Sequence, residues 1–311
     1  MLVPVGSEAI RCLVDQPELR RRIACPVPTA AAFRAAFDKQ LFRNECRRLG
    51  IPAPRTYSES EARRILTGAG PRTLVVKPAH DVGEARGVRY VSSQAELDAA
   101  VSTCERRFGR SLIEEMIPGG QEEMRTVVLL FGRESKLLAA FTMQKLRTAP
   151  ISGGVTASAR STADPDLVPL VLPFFRHWEW SGVAEVELKR DPRDGRLKVI
   201  EVNPRCPGYL RFPVYCGVDL PRMAMGVALG EEGPEIEGIS RYRTGAGYLA
   251  PQRFLQSLAH RRGGRVGTPR RLGSAVRELF SAAPLLADQL DDPLCLLATV
   301  VAGRRRRRGR G

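Results

Sequence analysis

The sequence predicts an α+β protein built of lobes, and three observations point to that class. Short strand-like and helix-like segments alternate, but without the strict strand–helix–strand regularity of a parallel sheet. No internal repeat is present, and after Gly230 the pattern weakens into short helical stretches joined by basic linkers. The clearest local unit is a hairpin: Val183, Val186 and Leu188 precede Asp194-Gly195, and Leu197, Val199 and Ile200 follow it. Glycine tolerates the positive φ that such a turn needs.

In chain order, Leu2–Val5 predicts a strand, Ser7–Asp15 a helix capped by Ser7, and Leu19–Ile23 a short helix. Residues 1–38 are too few for a complete nucleotide-type α/β domain; either that unit is trimmed or the true start lies upstream of Met1. Asp38–Gly50 predicts a helix, with Leu41, Phe42, Glu45, Cys46 and Leu49 at helical spacing and Gly50 as its stop. Ile51-Pro52-Ala53-Pro54 then forces extended chain. Ser58–Leu66 predicts a capped helix, Arg72–Lys77 a strand, Ala79–Arg86 a loop and Gly87–Val91 a strand. Gln94–Arg107 is an amphipathic helix, and Ser111–Ile117 a strand running into Pro118-Gly119-Gly120. Glu123–Phe131 and Lys136–Lys145 predict paired strands, and Thr148–Ala159 a glycine-containing loop. Asp166–Trp178 is a helix before the hairpin, and Val218–Leu229 a helix after it. Arg253–His260, Ser274–Ala283 and Pro293–Val301 predict short helices.

With 311 residues, 43% of them hydrophobic and 27% charged, the chain has the composition of an ordinary globular protein. No apolar run approaches the ~20 residues of a membrane span, and MLVPVGSEAIR lacks the basic and apolar regions of a secretion signal. The seven cysteines are scattered, with no Cys-x-x-Cys pair, so neither a disulfide framework nor a zinc site is indicated and a reducing, cytoplasmic setting fits. The three histidines are too dispersed for a triad or a metal site. The net charge of +15 is uneven: thirteen arginines, no lysine and four acids follow Thr244, and Arg304–Arg308 is an unbroken run. Such a run can hold polyanions or a membrane surface, or it is simply a solvated tail of an arginine-rich chain. The second reading is favoured, because like charges repel and no aromatic residues interleave to stack on bases.

The hairpin carries the candidate chemistry. Glu201 and Asn203, two apart on a strand, project the same way, and the partner strand brings Glu187 beside them. Two carboxylates and an amide oxygen form a hard-oxygen set suited to Mg²⁺. The plain alternative is a solvated hairpin face, since isolated acids are mostly exposed. Further features accompany this set in order: Asp38-Lys39 at a helix start, Val75-Val76-Lys77-Pro78 at a strand end, Glu114-Glu115-Met116-Ile117 before Pro-Gly-Gly, and Pro204-Arg205 after Asn203. Lys39 or Lys77 alone reads as a surface lysine; the ordered set does not.

That set, from about Pro4 to Gly230, resembles the ATP-grasp superfamily, which includes carbamoyl-phosphate synthetase and carboxylate–amine ligases, and the fourteen-residue gap from Glu187 to Glu201 is similar to that of carbamoyl-phosphate synthetase. The resemblance implies an ATP-grasp fold, two α+β lobes clasping ATP over residues 39–230 with a hinge near 114–120. A shortened segment, 1–38, would precede it, and a basic, partly helical extension, 231–311, disordered at its end, would follow. It implies that Lys39 and Lys77 contact ATP phosphates, that the hinge Glu114, Glu115, Met116 and Ile117 reads the adenine through its backbone, and that Glu122 or Glu123 binds the ribose. Glu187, Glu201 and Asn203 would hold Mg²⁺ or Mn²⁺. Arg205 would face the transferred phosphoryl group, with Lys145 and Arg147 near the γ-phosphate and the acceptor. The implied activity is ATP-dependent joining of a small carboxylate to an amine or other nucleophile through an acyl phosphate. The alternative is an ATP-binding protein of reduced activity that docks or regulates through its basic tail. Homo-oligomerisation is left open. The chain departs from the pattern in the loop His80–Gly87, where Gly83 and Gly87 are kept but Asp81 and Glu84 put acids near phosphate.

Overall fold

The computed structural model describes residues 1–68, 70, 72–83, 86–149, 154–259, 273 and 275–282. Four helices open the chain: α1 (Ser7–Asp15), α2 (Pro17–Arg22), α3 (Ala30–Phe37) and α4 (Lys39–Arg48). Residues 2–5 form no strand. Ser7 begins α1 without capping it; Gly6 holds the cap position. The missed helix, α3, is alanine-rich and packs Ala32, Phe33, Ala35 and Ala36 inward. Asp38 caps α4, its Oδ1 accepting from the N–H groups of Gln40 and Leu41.

The smaller sheet comprises β1 (Thr56–Tyr57), β2 (Leu74–Pro78), β3 (Arg89–Val91) and β4 (Ser111–Glu115), in antiparallel order β1-β4-β2-β3. Helices α5 (Glu59–Thr67) and α6 (Gln94–Phe108) cover one face of it. Ser58 and Glu61 form a capping box at the start of α5. Ala62, Leu74, Val76, Leu97, Val101 and Ile113 make the core between sheet and helices. Strand alternation therefore turns Lys77 and Glu114 to the other face.

The larger sheet has antiparallel order β10-β7-β6-β5-β8-β9. Its strands are β5 (Met124–Phe131), β6 (Leu137–Ala149), β7 (Val155–Thr162), β8 (Gly182–Arg190), β9 (Leu197–Asn203) and β10 (Gly247–Leu249). Helix α7 (Leu167–His177) separates β7 from β8; α8 (Arg211–Cys216), α9 (Leu220–Leu229) and α10 (Pro251–Ala259) follow the hairpin. One face packs Val127, Leu129, Phe131, Val186 and Leu188 with residues of α3, α4 and α7. The other packs Val128, Leu130, Phe141 and Met143 with residues of α8 and α9. On that second face, Thr126, Lys145, Glu187 and Glu201 continue past Val128 and Met143, so core gives way to polar side chains along the same strands.

Strand β7 replaces most of the loop expected at 148–159, and β6 runs on to Ala149. Thr156, Ala157, Ser158, Ala159 and Ser161 are all buried, so β7 lacks the apolar–polar alternation by which a strand is recognised. Its small residues are covered because it lies between β6 and β10. Residue 84, residues 150–153, residues 293–301 and Arg304–Arg308 lie outside the described residues. Among those described, no helix is long and apolar enough to cross a membrane. Cys12, Cys25, Cys46, Cys104, Cys206 and Cys216 are free.

Candidate functional site

The hairpin of β8 and β9 sets Glu187 directly opposite Glu201 and Glu185 opposite Asn203. All four side chains share one face of the sheet. Lys145 reaches across from β6, its Nζ 2.5 Å from Glu187 Oε1. From α4, Lys39 Nζ lies 3.7 Å from Glu201 Oε2. Asn203 donates its Nδ2 to Glu185 Oε2 at 3.3 Å, which turns its Oδ1 the other way, where Arg205 Nη2 donates to it at 3.4 Å. Tyr209 holds the second oxygen of Glu185. Glu185, absent from the sequence-based set, is a buried orienting group. The signal that could have found it is its place two residues before Glu187, on the same face.

Electrostatics separates the two facing acids. Burial, with Glu201 and Glu185 nearby and despite Lys145, pushes Glu187 up to about 7. Burial also works against an ionised Glu201, but Lys39, Lys77, Lys145 and Arg205 outweigh it and hold that carboxyl down at about 2. Burial would strip the proton from Lys145, yet Glu187 and Glu185 more than offset that and keep it charged. Among the described residues no three His, Cys, Asp or Glu side chains form a metal-binding group. The donor set here is mixed, two carboxylates and an amide oxygen on one face of the hairpin. Those residues fit a hard divalent cation.

Two further contacts centre on Glu114 of β4 in the smaller sheet. Lys77 Nζ lies 2.6 Å from Glu114 Oε2, and Arg43 Nε lies 2.6 Å from Glu114 Oε1. Arg43 Nη2 also donates to the carbonyl oxygen of Ile200 at 2.5 Å, next to Glu201. Arg43 thus ties α4, β4 and β9 together. Its 2% exposure sets it apart from the many surface arginines, and its sequence context carries no mark of that. Burial lowers the Lys77 amine despite Glu114 beside it, while burial's upward push on Glu114 is outweighed by Arg43 and Lys77.

In the segment 114–120, expected from the sequence to be a hinge, Glu114 is committed to this buried network and Glu115 to Arg193, 2.6 Å away. The Glu115 N–H donates to the Arg55 carbonyl at 2.8 Å. Lys189 Nζ donates to the carbonyls of Ile117 and Gly119 at 2.9 and 2.8 Å. Met116 continues between them, half-buried. Glu122 folds back so that its carboxylate accepts from the Gly120 N–H at 3.2 Å, and Glu123 lies against Gly119. Both acids act on the charge of Lys189.

The loop after β2 reaches the same place. Asp81 Oδ2 is 3.8 Å from Arg205 Nε, and Asp81 Oδ1 accepts from the Gly83 N–H at 2.8 Å. Gly87 has φ +82°, and a Cβ there would meet Phe108 at 2.6 Å and Pro78 at 2.8 Å, so only glycine fits. Arg147, two residues beyond Lys145 on β6, is turned to a different partner: its Nε donates to both oxygens of Glu278, at 3.1 and 2.9 Å. The structure therefore gathers Lys39, Lys77, Lys145, Glu187, Glu201, Asn203 and Arg205 by direct contacts or shared charge, and places Arg147 in a neighbouring cluster.

No family model matches the chain. It is 23% identical over 222 residues to D-aspartate ligase of Enterococcus faecium, covering 66% of this chain and 52% of that protein. It is 28% identical over 174 residues to D-alanine–D-alanine ligase B of Xanthomonas campestris pv. campestris, covering 50% and 51%. The biotin carboxylase domain of Hydrogenobacter thermophilus 2-oxoglutarate carboxylase, solved with MgADP, ADP and bicarbonate, superposes with a TM-score of 0.60 at 17% identity. That match covers 79% of this chain and 56% of the other. The chain spans about half the length of these curated relatives.

Proposed function

We propose that this chain, which has the ATP-grasp fold, is an ATP-dependent ligase of that superfamily, which activates a small carboxylate as an acyl phosphate for attack by an amine or another nucleophile. The observation that carries this is the pairing of Glu187 with Glu201 across the hairpin, with Asn203 beside them and Lys39, Lys77, Lys145 and Arg205 close around. Similarity to ligases acting on D-aspartate and D-alanine supports it.

In this reading the adenine meets the hinge backbone at Met116 and Ile117, and Glu122 or Glu123 takes the ribose hydroxyls. Lys39 and Lys77 face the phosphates as point charges, which need no fixed geometry. Glu187, Glu201 and Asn203 would hold Mg²⁺ or Mn²⁺, which when bound supplies positive charge against the β and γ phosphates. Lys145 keeps its proton and balances Glu187. Arg205 donates toward the transferred phosphoryl group, oriented by Asn203 and Glu185. Catalysis is then charge neutralisation and positioning, with no protein nucleophile. A second reading, ATP binding without turnover, is favoured by Asp81, an acid of the phosphate-covering loop that engages Arg205.

Calorimetry with MgATP followed by an ADP-release screen over carboxylate and amine pairs separates the two. Turnover with one pair is expected, and Glu201→Ala should abolish it with the fold retained. Tight ATP binding with no ADP across the screen selects the second reading; full ADP release by the variant overturns the metal assignment.

A further inference from the structure

The end of the described chain places a carboxylate where sequence reasoning puts part of the acceptor site. Residues 275–282 are helical, and Glu278 projects from them onto the larger sheet. Arg147 on β6 and Ser158 on β7 are direct cross-strand partners at an irregularity in the ladder. Both donate to Glu278: Arg147 Nε to each carboxylate oxygen, and Ser158 Oγ to Oε2 at 2.5 Å. Phe254 of α10 lies under the guanidinium, 5.6 Å from ring centroid to Cζ. Ser158 has no exposed surface, and the Glu278 side chain keeps only 9% of its own. A buried hydroxyl, a guanidinium and an aromatic floor together make a seat for one carboxylate.

The seat adjoins the candidate nucleotide region. The neighbouring Thr148 exchanges two hydrogen bonds with Gln121, at 2.8 and 3.0 Å, in the turn that carries Glu122 and Glu123. Two residues the other way, Lys145 grips Glu187.

Among the described residues, the helix that delivers Glu278 buries little apolar surface. Its buried apolar residues are Ala275 and Ala282, whereas Val276, Leu279 and Phe280 are exposed, Phe280 by 74%. Burying two methyl groups contributes little beside the burial of a large side chain. Its backbone rests on Gly247 of β10, where a Cβ would stand 2.6 Å from the Ser281 carbonyl carbon and 2.8 Å from the Ala282 nitrogen. Among the described residues, the carboxylate is the side chain by which this helix bonds to the sheet, while Val276, Leu279 and Phe280 are exposed.

We propose that Arg147 and Ser158 form a carboxylate-binding subsite that Glu278 fills in cis, so that an external carboxylate enters by displacing the helix 275–282. The role of that carboxylate as the acid or the acceptor of ligation rests on the ligase reading; the exchange itself does not. An internal occupant lowers the apparent affinity for an external one by the fraction of time the seat is open. A seat open about a tenth of the time gives about a tenfold penalty.

The test uses the full chain without nucleotide, and acetate as the probe. Acetate binding is followed by ligand-observed NMR in wild type, Glu278→Gln, and Glu278→Gln combined with Arg147→Gln. Hydrogen exchange over 275–282 is measured in wild type with and without acetate. The expected result is about tenfold tighter acetate binding by Glu278→Gln, loss of that gain in the double variant, and faster exchange over 275–282 when acetate is added to wild type. Equal acetate affinity in wild type and Glu278→Gln, a gain that survives Arg147→Gln, or wild-type exchange indifferent to acetate would each overturn the proposal. The exchange measurement needs no variant, so a folding defect in Glu278→Gln does not shield it. Because ATP is absent, failure here leaves the ADP-release test standing, and the reverse.

Discussion

Glu187 and Glu201 face each other from neighbouring strands, yet their surroundings set them apart. Glu201 sees four cations, whereas Glu187 sits deeper, with Lys145 as its one close cation and two acids beside it. In the metal-free fold Glu187 keeps its proton up to about 7, against an ordinary value of 4.5. Between those values the folded chain holds a proton that the unfolded chain has released, so this residue's contribution is full below about 4.5 and falls as pH rises through about 7. Urea unfolding in EDTA, wild type against Glu187→Gln, should show wild type losing stability relative to the variant as pH rises through that window. A difference that stays level from pH 5 to about 8 would contradict the assignment. Glu201 does not confuse the measurement, because its depressed pKa acts only below the carboxylate range.

At the scale of elements, the site depends on α4 being wedged between the two sheets. Its N-terminal residue, Lys39, faces Glu201, and Arg43, one turn later, bonds to Glu114 on β4 and to the Ile200 carbonyl on β9. Arg43→Ala would leave Glu114 buried with Lys77 as its remaining close cation. Breaking a buried pair from one side typically costs about 3–5 kcal/mol, and chemical denaturation should show a loss of that order. A loss under about 1 kcal/mol, the level of an exposed pair, would mean that the network does not bind the lobes. The start of this helix was legible because Asp38 is a capping residue followed by helical spacing. Strand β7 was not, because Thr, Ala and Ser buried between neighbouring strands look in sequence like a polar loop.

For the molecule as a whole, the charge balance around Glu187 and Glu201 predicts how it responds to nucleotide. Lys39 from α4, Lys77 from β2, Lys145 from β6 and Arg205 just after β9 all act on Glu201, so a polyanion brought in with a divalent cation meets complementary charge from several elements. A ligand bound only by the fold stabilises it by about 2.7 kcal/mol at a hundredfold excess over Kd. MgATP should therefore raise the thermal midpoint by several degrees, with a much smaller rise from ATP in EDTA and little from MgATP on Glu201→Ala. Scanning fluorimetry reads all three, and equal shifts with and without the metal would count against the donor set.

The sequence by itself determined the order of the motifs, the hairpin and its facing donors, and the lysines at helix start and strand end. These are local matters, set by alternation along a strand and by caps and turns within a few residues. Only the tertiary structure decided what each charge meets. Lys77 is bound to Glu114 rather than free, Glu185 orients Asn203, Arg43 joins three elements, and Arg147 is occupied by Glu278 from 131 residues away. An ion pair's partner is chosen by where separate elements pack and which groups they bury together, and no spacing along the chain records that.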